Sequence, residues 1–461
     1  MRIRKISVLL LSMVMVSSSL LGCSKQSSPS TASQSSNTEN SGDQSSNDNA
    51  SDGKAIEIQF LDVMPSDTRT QLFNQMISRF ESENPGIKVK YSSVPFDEAY
   101  NKVVAMGASK SLPDVISCDT GIMSSVAAAG YLEDLTDRFN SLPSKDDFTA
   151  STLAAKPTYS YKDKIYAVPD GFLTQGIFVR TDWLADAGYN IEDLRSWTWD
   201  EYFEVVKALT KPEEGRFGIA FRGGSNGGLR FFEYLGSMLE VTSAFPNGNN
   251  QSIYGDPDAL KYFESFYNLY KDGYAPQDSI NWGFTEMVEG FVSGQCATLN
   301  QTPEVTQTCK QSMEDGTWTV LPQPVNPEAA KNSVTWGYSG AYAISANSKQ
   351  KDAAWRFVEW ISEPENNLEF CKEFGQVPLY QSSLSDPFFQ EGEMKGYVDA
   401  LADPDIQYLQ QASNLSQWGY FLSDYCKNET QKYMAGQQDS KTTLDNLAKW
   451  MTEQYDAEMA Q

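Results

Sequence analysis

Ile56, Ile58, Phe60, Leu61 and Val63 crowd one short run, which predicts a strand over residues 56–63. Beyond it Leu72, Phe73, Met76, Ile77 and Phe80 recur at three- and four-residue steps, the period of an amphipathic helix. Ser66 or Asp67 can cap that helix, and Asn84-Pro85-Gly86 stops it. Ile87, Val89 and Tyr91 then alternate with Lys88, Lys90 and Ser92, as in a half-buried strand. A second helix fits residues 96–108, and an apolar strand over 112–117 opens onto Cys118-Asp119. This strand–helix alternation is of the α/β class and calls for a parallel sheet with right-handed crossovers. Ligands of open α/β sheets sit beyond the carboxyl ends of the strands, which singles out Met64 and Asp67 after the first strand and Asp119 and Thr120 after the third. Taken alone, Asp67 is as well explained as a helix cap, and Asp119 as a turn residue. No glycine-rich phosphate loop follows any of these strands, so nucleotide binding has no support.

The chain before this body has a different pattern. Arg2, Arg4 and Lys5 precede an apolar stretch over residues 6–16, shorter than the roughly 20 residues of a spanning helix. Leu20-Leu21-Gly22-Cys23 follows and resembles the lipobox of bacterial lipoproteins. That resemblance implies removal of residues 1–22 as a signal peptide, lipidation of Cys23, and anchoring to the outer face of a cell membrane of the Gram-positive type. Residues 24–54 are mostly Ser, Asn, Asp, Gln and Thr, too polar to offset their ordering entropy. Residues 23–54 therefore read as a lipidated Cys23 on a flexible tether, with a span of roughly 30 Å.

Charge and composition narrow the chemistry. The 461 residues carry 36 basic and 61 acidic side chains and no histidine, for a net charge of −25. Residues 1–22 hold three positive charges and no negative one, so the processed chain stands at −28. Without histidine there is no Ser-His-Asp or Cys-His pair, no imidazole base and no His-ligated metal. The acidity argues against a nucleic-acid partner. Beyond Cys23 there are five cysteines, Cys118, Cys296, Cys309, Cys371 and Cys426, an odd number without CxxC spacing. At least one thiol is thus unpaired within the chain, Cys296 and Cys309 are the pair closest in sequence, and no metal or cofactor is expected.

A succession of motifs then carries a family resemblance. Leu112-Pro113-Asp114-Val115 and Gly130-Tyr131-Leu132-Glu133-Asp134-Leu135-Thr136 come first, followed by Tyr166-Ala167-Val168-Pro169 and the segment from Gly176 to Leu184. Trp197-Thr198-Trp199-Asp200-Glu201 comes next, with Trp197 where proline is commoner, and Phe291 with Gly294-Gln295-Cys296-Ala297 after it. Trp336-Gly337-Tyr338-Ser339-Gly340, the segment from Ala353 to Trp360, and Gly375-Gln376-Val377-Pro378 complete the order. From about Ile56 to the C-terminus the chain resembles the family 1 extracellular solute-binding proteins, the sugar-binding receptors of ABC importers similar to maltose-binding protein.

The resemblance implies a two-lobe fold of the type II periplasmic-binding-protein kind, each lobe a mostly parallel sheet flanked by helices, with ligand in the cleft between them. Residues 55–168 with 338–382 would form the first lobe, and 169–337 with 383–461 the second. The implied function is capture of a carbohydrate by a monomer and its delivery to the transmembrane subunits of a permease, with no enzymatic step. Sugars offer hydroxyls to polar groups and C–H faces to aromatic rings. Asp170 and Phe172 after the crossover strand, Asn226 in the loop over 223–228, Arg230 and Phe231 beyond it, Asn300 and Gln301 at a strand end, Trp336 and Tyr338 in a return strand, and Trp418 are the expected contacts, beside Met64, Asp67 and Asp119. Arg230 also suits a uronate or another acidic ligand. Two other readings stay open: a secreted carbohydrate-active enzyme with paired carboxylates, and a receptor for peptides or for amines held by cation–π contact.

Overall fold

The computed structural model describes residues 55–328, 334–338, 340–403 and 406–460; the side chains of 334–338, 392, 393 and 400 lie outside that description. The signal segment, Cys23 and the tether lie outside the described residues.

Three strands and three helices build the first wall of the molecule. β1 (Ile56–Asp62) pairs in parallel with β2 (Ile87–Ser93), Ile56 opposite Ile87 and Asp62 opposite Ser93. On its other edge it pairs in parallel with β3 (Val115–Cys118), whose four residues are all buried. α1 (Asp67–Glu83) buries Leu72, Phe73, Met76, Ile77 and Phe80, the periodic positions. Its cap is Ser66, which accepts from the Arg69 N–H, so Asp67 falls in the first turn, where a carboxylate faces the positive helix end. α2 (Phe96–Ala108) and α3 (Thr120–Ala128) follow, and the Asp119 carboxylate caps α3 by accepting from the Ile122 N–H at 2.7 Å. β3 starts at Val115 rather than at 112, because Asp114 turns aside to accept from the Gln59 N–H and the Ser348 hydroxyl.

The first sheet runs in the order β2, β1, β3, Ala341–Ile344, Ala167–Pro169; the second runs Trp318–Pro322, Gly176–Arg180, Cys296–Gln301, Phe217–Ile219. One strand in each runs against the rest: Ala341–Ile344 is antiparallel to both neighbours, and so is Gly176–Arg180. The reason is geometric. The other strands end at the cleft, whereas a strand arriving from the opposite lobe starts there and must run away from it. Each lobe has its own buried core, one around Phe60, Phe73, Phe357 and Phe370, the other around Trp199, Tyr202, Tyr234 and Phe266. The first core also takes in Phe389, Met394 and Tyr397, past the expected boundary at residue 382. All five described cysteines are buried and free, Cys296 and Cys309 included.

The three crossings between lobes hydrogen-bond to one another. Val334–Tyr338 pairs in parallel with Gln407–Leu409 and antiparallel with Leu173–Thr174, so the hinge is a small sheet and not three independent tethers.

Beside this hinge lies a fully buried ion cluster. Arg69 of α1 donates from Nε to Asp62 at the end of β1, at 3.0 Å, and its Nη2 lies 3.7 Å from Asp170 in the first crossing. Its guanidinium sits over the rings of Phe73, Phe370 and Phe374, at 4.8, 5.1 and 4.6 Å from the centroids. Asp62 also accepts from Ser117 Oγ, Tyr91 Oη and the Met64 N–H. Burial, together with the Asp62 charge, pushes the Asp170 carboxyl up to about 6 against the pull of Arg69. Removing the one cation leaves two carboxylates buried without compensation. Arg69→Met is therefore expected to lower the unfolding free energy by about 3–5 kcal/mol in a urea titration, the range for a broken buried pair. A loss below about 1 kcal/mol, the range of surface pairs, contradicts this placement.

Candidate functional site

Between the lobes lies a cavity of about 520 Å³. Six helices begin at its wall: α1, α2 and α3 from the first lobe, and Gly227–Met238, Phe284–Val292 and Val305–Ser312 from the second. Most of this follows from the strand directions: β1, β2, β3, Phe217–Ile219 and Cys296–Gln301 each hand over to a helix that starts at the cleft, whereas Phe284–Val292 follows no strand. The helix ends bring partial positive charge to the wall, and the side chains answering it are largely carboxylates: Asp97 in α2, Asp119 at the cap of α3, and Glu304 before Val305.

The lobes touch around the cavity. Asp97 of the first lobe accepts from Arg222 Nη2 at 2.7 Å and from the Phe284 N–H at 2.9 Å, both in the second lobe. Phe96 meets the Phe284 ring edge-on at 6.5 Å. On another side Gln311 Nε2 donates to Thr68 Oγ1 at 3.3 Å. On a third, Ser125 Oγ donates to the Ser416 carbonyl at 2.7 Å and the Tyr161 hydroxyl donates to Glu458. The backbones of Gly121 and Gly419 approach so closely that a Cβ on Gly121 would stand 3.1 Å from the Gly419 Cα.

Of the residues expected from sequence, Met64, Asp119, Asn226, Arg230 and Gln301 line this cavity. The others are placed elsewhere. Asp67 is exposed in the first turn of α1, because Ser66 holds the cap. Asp170 is buried in the hinge cluster with Arg69. Phe172 joins the first core, its backbone bonded to Val377 and its ring 5.9 Å from Tyr408. Phe231 is fully buried against Phe263 and Tyr267, since the residue next to Arg230 lies about 100° further round the helix. Asn300 accepts from Gln323 Nε2 at 3.0 Å and does not line the cavity. Trp418 is fully buried, stacked on Phe421 at 5.3 Å, and reaches the cavity only through Gln411, whose Oε1 accepts from its Nε1 at 2.6 Å. Trp336 and Tyr338 stand in the hinge sheet, Trp336 opposite Leu409 and Tyr338 opposite Leu173; their side chains are outside the described residues.

Several cavity residues escaped sequence reading: Phe96, Asp97, Gln175, Arg222, Phe284 and Glu304. The carboxyl-end rule that reached Met64 and Asp119 reaches Phe96 and Asp97 as well when applied to the second strand. It reaches Glu304 too, three residues past the strand Cys296–Gln301, whereas Gln175 carries no comparable signal because its role depends on how the chain crosses between lobes.

The polar side of the cavity is one hydrogen-bonded chain. Arg230 Nη1 donates to both oxygens of buried Glu233, at 2.7 and 2.8 Å, and its Nη2 donates to Gln301 Oε1 at 2.6 Å. Gln175 Nε2 donates to Glu233 at 3.3 Å, and Thr302 links Gln301 to Glu304 through its hydroxyl. Burial raises the carboxyls of Glu233 and Glu304 above their ordinary range, and pushes Asp119 up to about 6.

Residues 65–368 match the bacterial extracellular solute-binding protein family, and the chain belongs to that family. Among curated relatives, a lactose-binding protein of Rhizobium radiobacter is 23% identical over 295 residues, 63% of this chain and 67% of its own. Among solved structures, an ABC transporter solute-binding protein of Thermotoga lettingae bound with alpha-D-tagatose superimposes with a TM-score of 0.75 at 17% identity, covering 87% of this chain and 99% of that one. An ABC substrate-binding protein of Listeria monocytogenes in complex with cycloalternan gives a TM-score of 0.74 at 18% identity, with the same coverage of both chains. The fold is thus the two-lobe solute-binding kind.

Two expectations follow from these placements. Trp418→Ala is expected to cost about 3–5 kcal/mol of stability, as for a large ring removed from a core; an unchanged urea midpoint contradicts its burial. For Asp119, the folded pKa of about 6 lies above the ordinary 3.8, so between those values the native chain binds more protons than the unfolded one. Its contribution to stability therefore falls as pH rises through that window. Asparagine caps as well as aspartate, so the Tm of Asp119→Asn relative to the parent should climb from pH 4 to pH 7, and a flat or falling difference contradicts the shift.

Proposed function

We propose that this chain is the ligand-capturing receptor of an ABC importer, which takes a carbohydrate into the interlobe cavity and delivers it, chemically unchanged, to the permease in the membrane. The observation that carries the reading is the cavity itself: an interlobe space rimmed by contacts from both lobes, with apolar Phe96 and Phe284 on one side and hydrogen-bonding Arg230, Gln301, Thr302 and Glu304 on another. A saccharide presents both faces that such a wall complements. Family membership and the sugar ligands named for the relatives support it.

Closure in this account is selection of the apposed lobes by a ligand that contacts both of them. The second-lobe grip is the Arg230 chain; the first-lobe grip is the start of α1 at Ser66 and Thr68 and the cap of α3 at Asp119. We further propose that residues 1–22 are removed, that Cys23 is lipidated, and that the mature chain works as a monomer tethered by residues 23–54 at the outer face of the membrane.

The test is a thermal-shift screen of the chain lacking residues 1–22, against neutral saccharides and polyols, amines and short peptides. A saccharide or polyol should raise Tm with concentration, as binding to the native state alone requires, and should be recovered intact. A shift from peptides or amines alone, or hydrolysis by catalytic amounts of protein, contradicts the proposal.

A further inference from the structure

Both guanidinium groups at the cavity are charge-matched before any ligand arrives. Arg222 donates from Nη2 to Asp97 at 2.7 Å and from Nε to the Ser225 carbonyl at 2.7 Å. Arg230 directs Nη1 at both oxygens of Glu233, whose side chain is 4% exposed, and Nη2 at Gln301 Oε1. Gln301 Oε1 is in turn fixed by the Thr302 N–H at 2.9 Å and the Thr302 hydroxyl at 3.0 Å. No lysine lines the cavity, and Asp119 and Glu304 add carboxylates without adding a cation. An entering anion therefore meets no uncompensated positive side chain, yet must lose its water.

Gln175 Oε1, Arg230 Nε and Glu304 Oε2 have no hydrogen-bond partner among the described residues, but each is closed off from the cavity and so presents nothing to a ligand. Hydroxyl groups both donate and accept, so a neutral sugar can use the charge-matched wall without bringing a charge of its own.

Resting on the reading of the cavity as a saccharide site, we propose that Glu233 sets its ligand class: by pairing Arg230 it turns a cation into a neutral hydroxyl-reading donor, so the cavity takes uncharged saccharides and rejects uronates. Glu233 itself is a positioning residue, acting through Arg230.

The test is isothermal titration of the parent chain, Glu233→Gln and Glu233→Asp with matched probes: glucose and galactose against glucuronate and galacturonate, with lactose, maltose and mannitol as further neutral compounds. The parent should bind at least one neutral compound, and bind each uronate about tenfold or more weakly than its neutral counterpart. Glu233→Gln, which leaves Arg230 unmatched, should narrow or reverse that ratio by about tenfold, a gain that mere loss of structure cannot produce. Glu233→Asp keeps the carboxylate and should restore the preference for neutral sugars. Uronates bound by the parent as tightly as their neutral counterparts overturn the charge-matching inference and leave saccharide capture standing, whatever the folding of either variant. Absence of binding by every saccharide, charged or neutral, overturns both.

Discussion

The architecture hangs on one buried cation. Arg69 joins the end of β1, the first turn of α1 and the first interlobe crossing through Asp62 and Asp170, with three phenylalanine rings in place of water. Asp62 takes the Arg69 hydrogen bonds, while Asp170 is held at 3.7 Å by charge, its carboxylate oxygens having no hydrogen-bond partner among the described residues. Taken out of water, these charges hold one another, and with them the three elements that carry them. Asp170 in turn ties the second crossing: its N–H donates to the Gly340 carbonyl, and a Cβ on Gly340 would stand 2.6 Å from Asp170 Oδ2. The cleft wall at Met64, Ser66 and Thr68 and the hinge strands are thus referenced to the same charge.

From that constraint the site follows. Strands that end at the cleft place helix starts there, and the positive helix ends call for carboxylates. Those carboxylates are then engaged: Asp119 by its own helix, Asp97 by Arg222 and a helix N–H of the other lobe, Glu304 by the Thr302 hydroxyl; inside the Gly227–Met238 helix, Glu233 pairs Arg230. The strongly negative exterior of the chain, −25 over its full length, thus encloses a cavity whose cations are matched one by one. Net charge speaks to solubility and to the environment outside. Ligand selection is set by a handful of pairs inside.

Much of the first lobe was legible in the sequence because its signals are local. The apolar period of α1, the alternation in β2 and the rule that ligands sit beyond strand ends led to Met64 and Asp119 without any three-dimensional information. Phase around a helix was harder: Arg230 and Phe231 are neighbours in sequence, and only the packing of Phe263 and Tyr267 shows which of them faces inward. Aromatic residues misled for the same reason, since a ring that suits a sugar face also suits a core; Phe172 and Trp418 went to the core. Asp170 sits where a ligand contact was expected, yet its partner is Arg69, about a hundred residues earlier in the chain. Gln175 owes its place to a crossing, and the Asp97–Arg222 pair to the meeting of lobes, neither of which a local pattern encodes. The Arg230–Glu233 pair was legible as an i, i+3 spacing; its consequence for ligand charge became visible only with Gln301 beside it.

The most direct measurement is a crystal structure of the chain lacking residues 1–22, grown with a neutral saccharide that raises its Tm. The account predicts one sugar in the interlobe cavity, with hydroxyls at the Arg230 and Glu304 side chains of the second lobe and contacts to the Ser66 and Asp119 ends of the first. A saccharide bound outside the cavity, or held by one lobe alone with the other swung away, contradicts it.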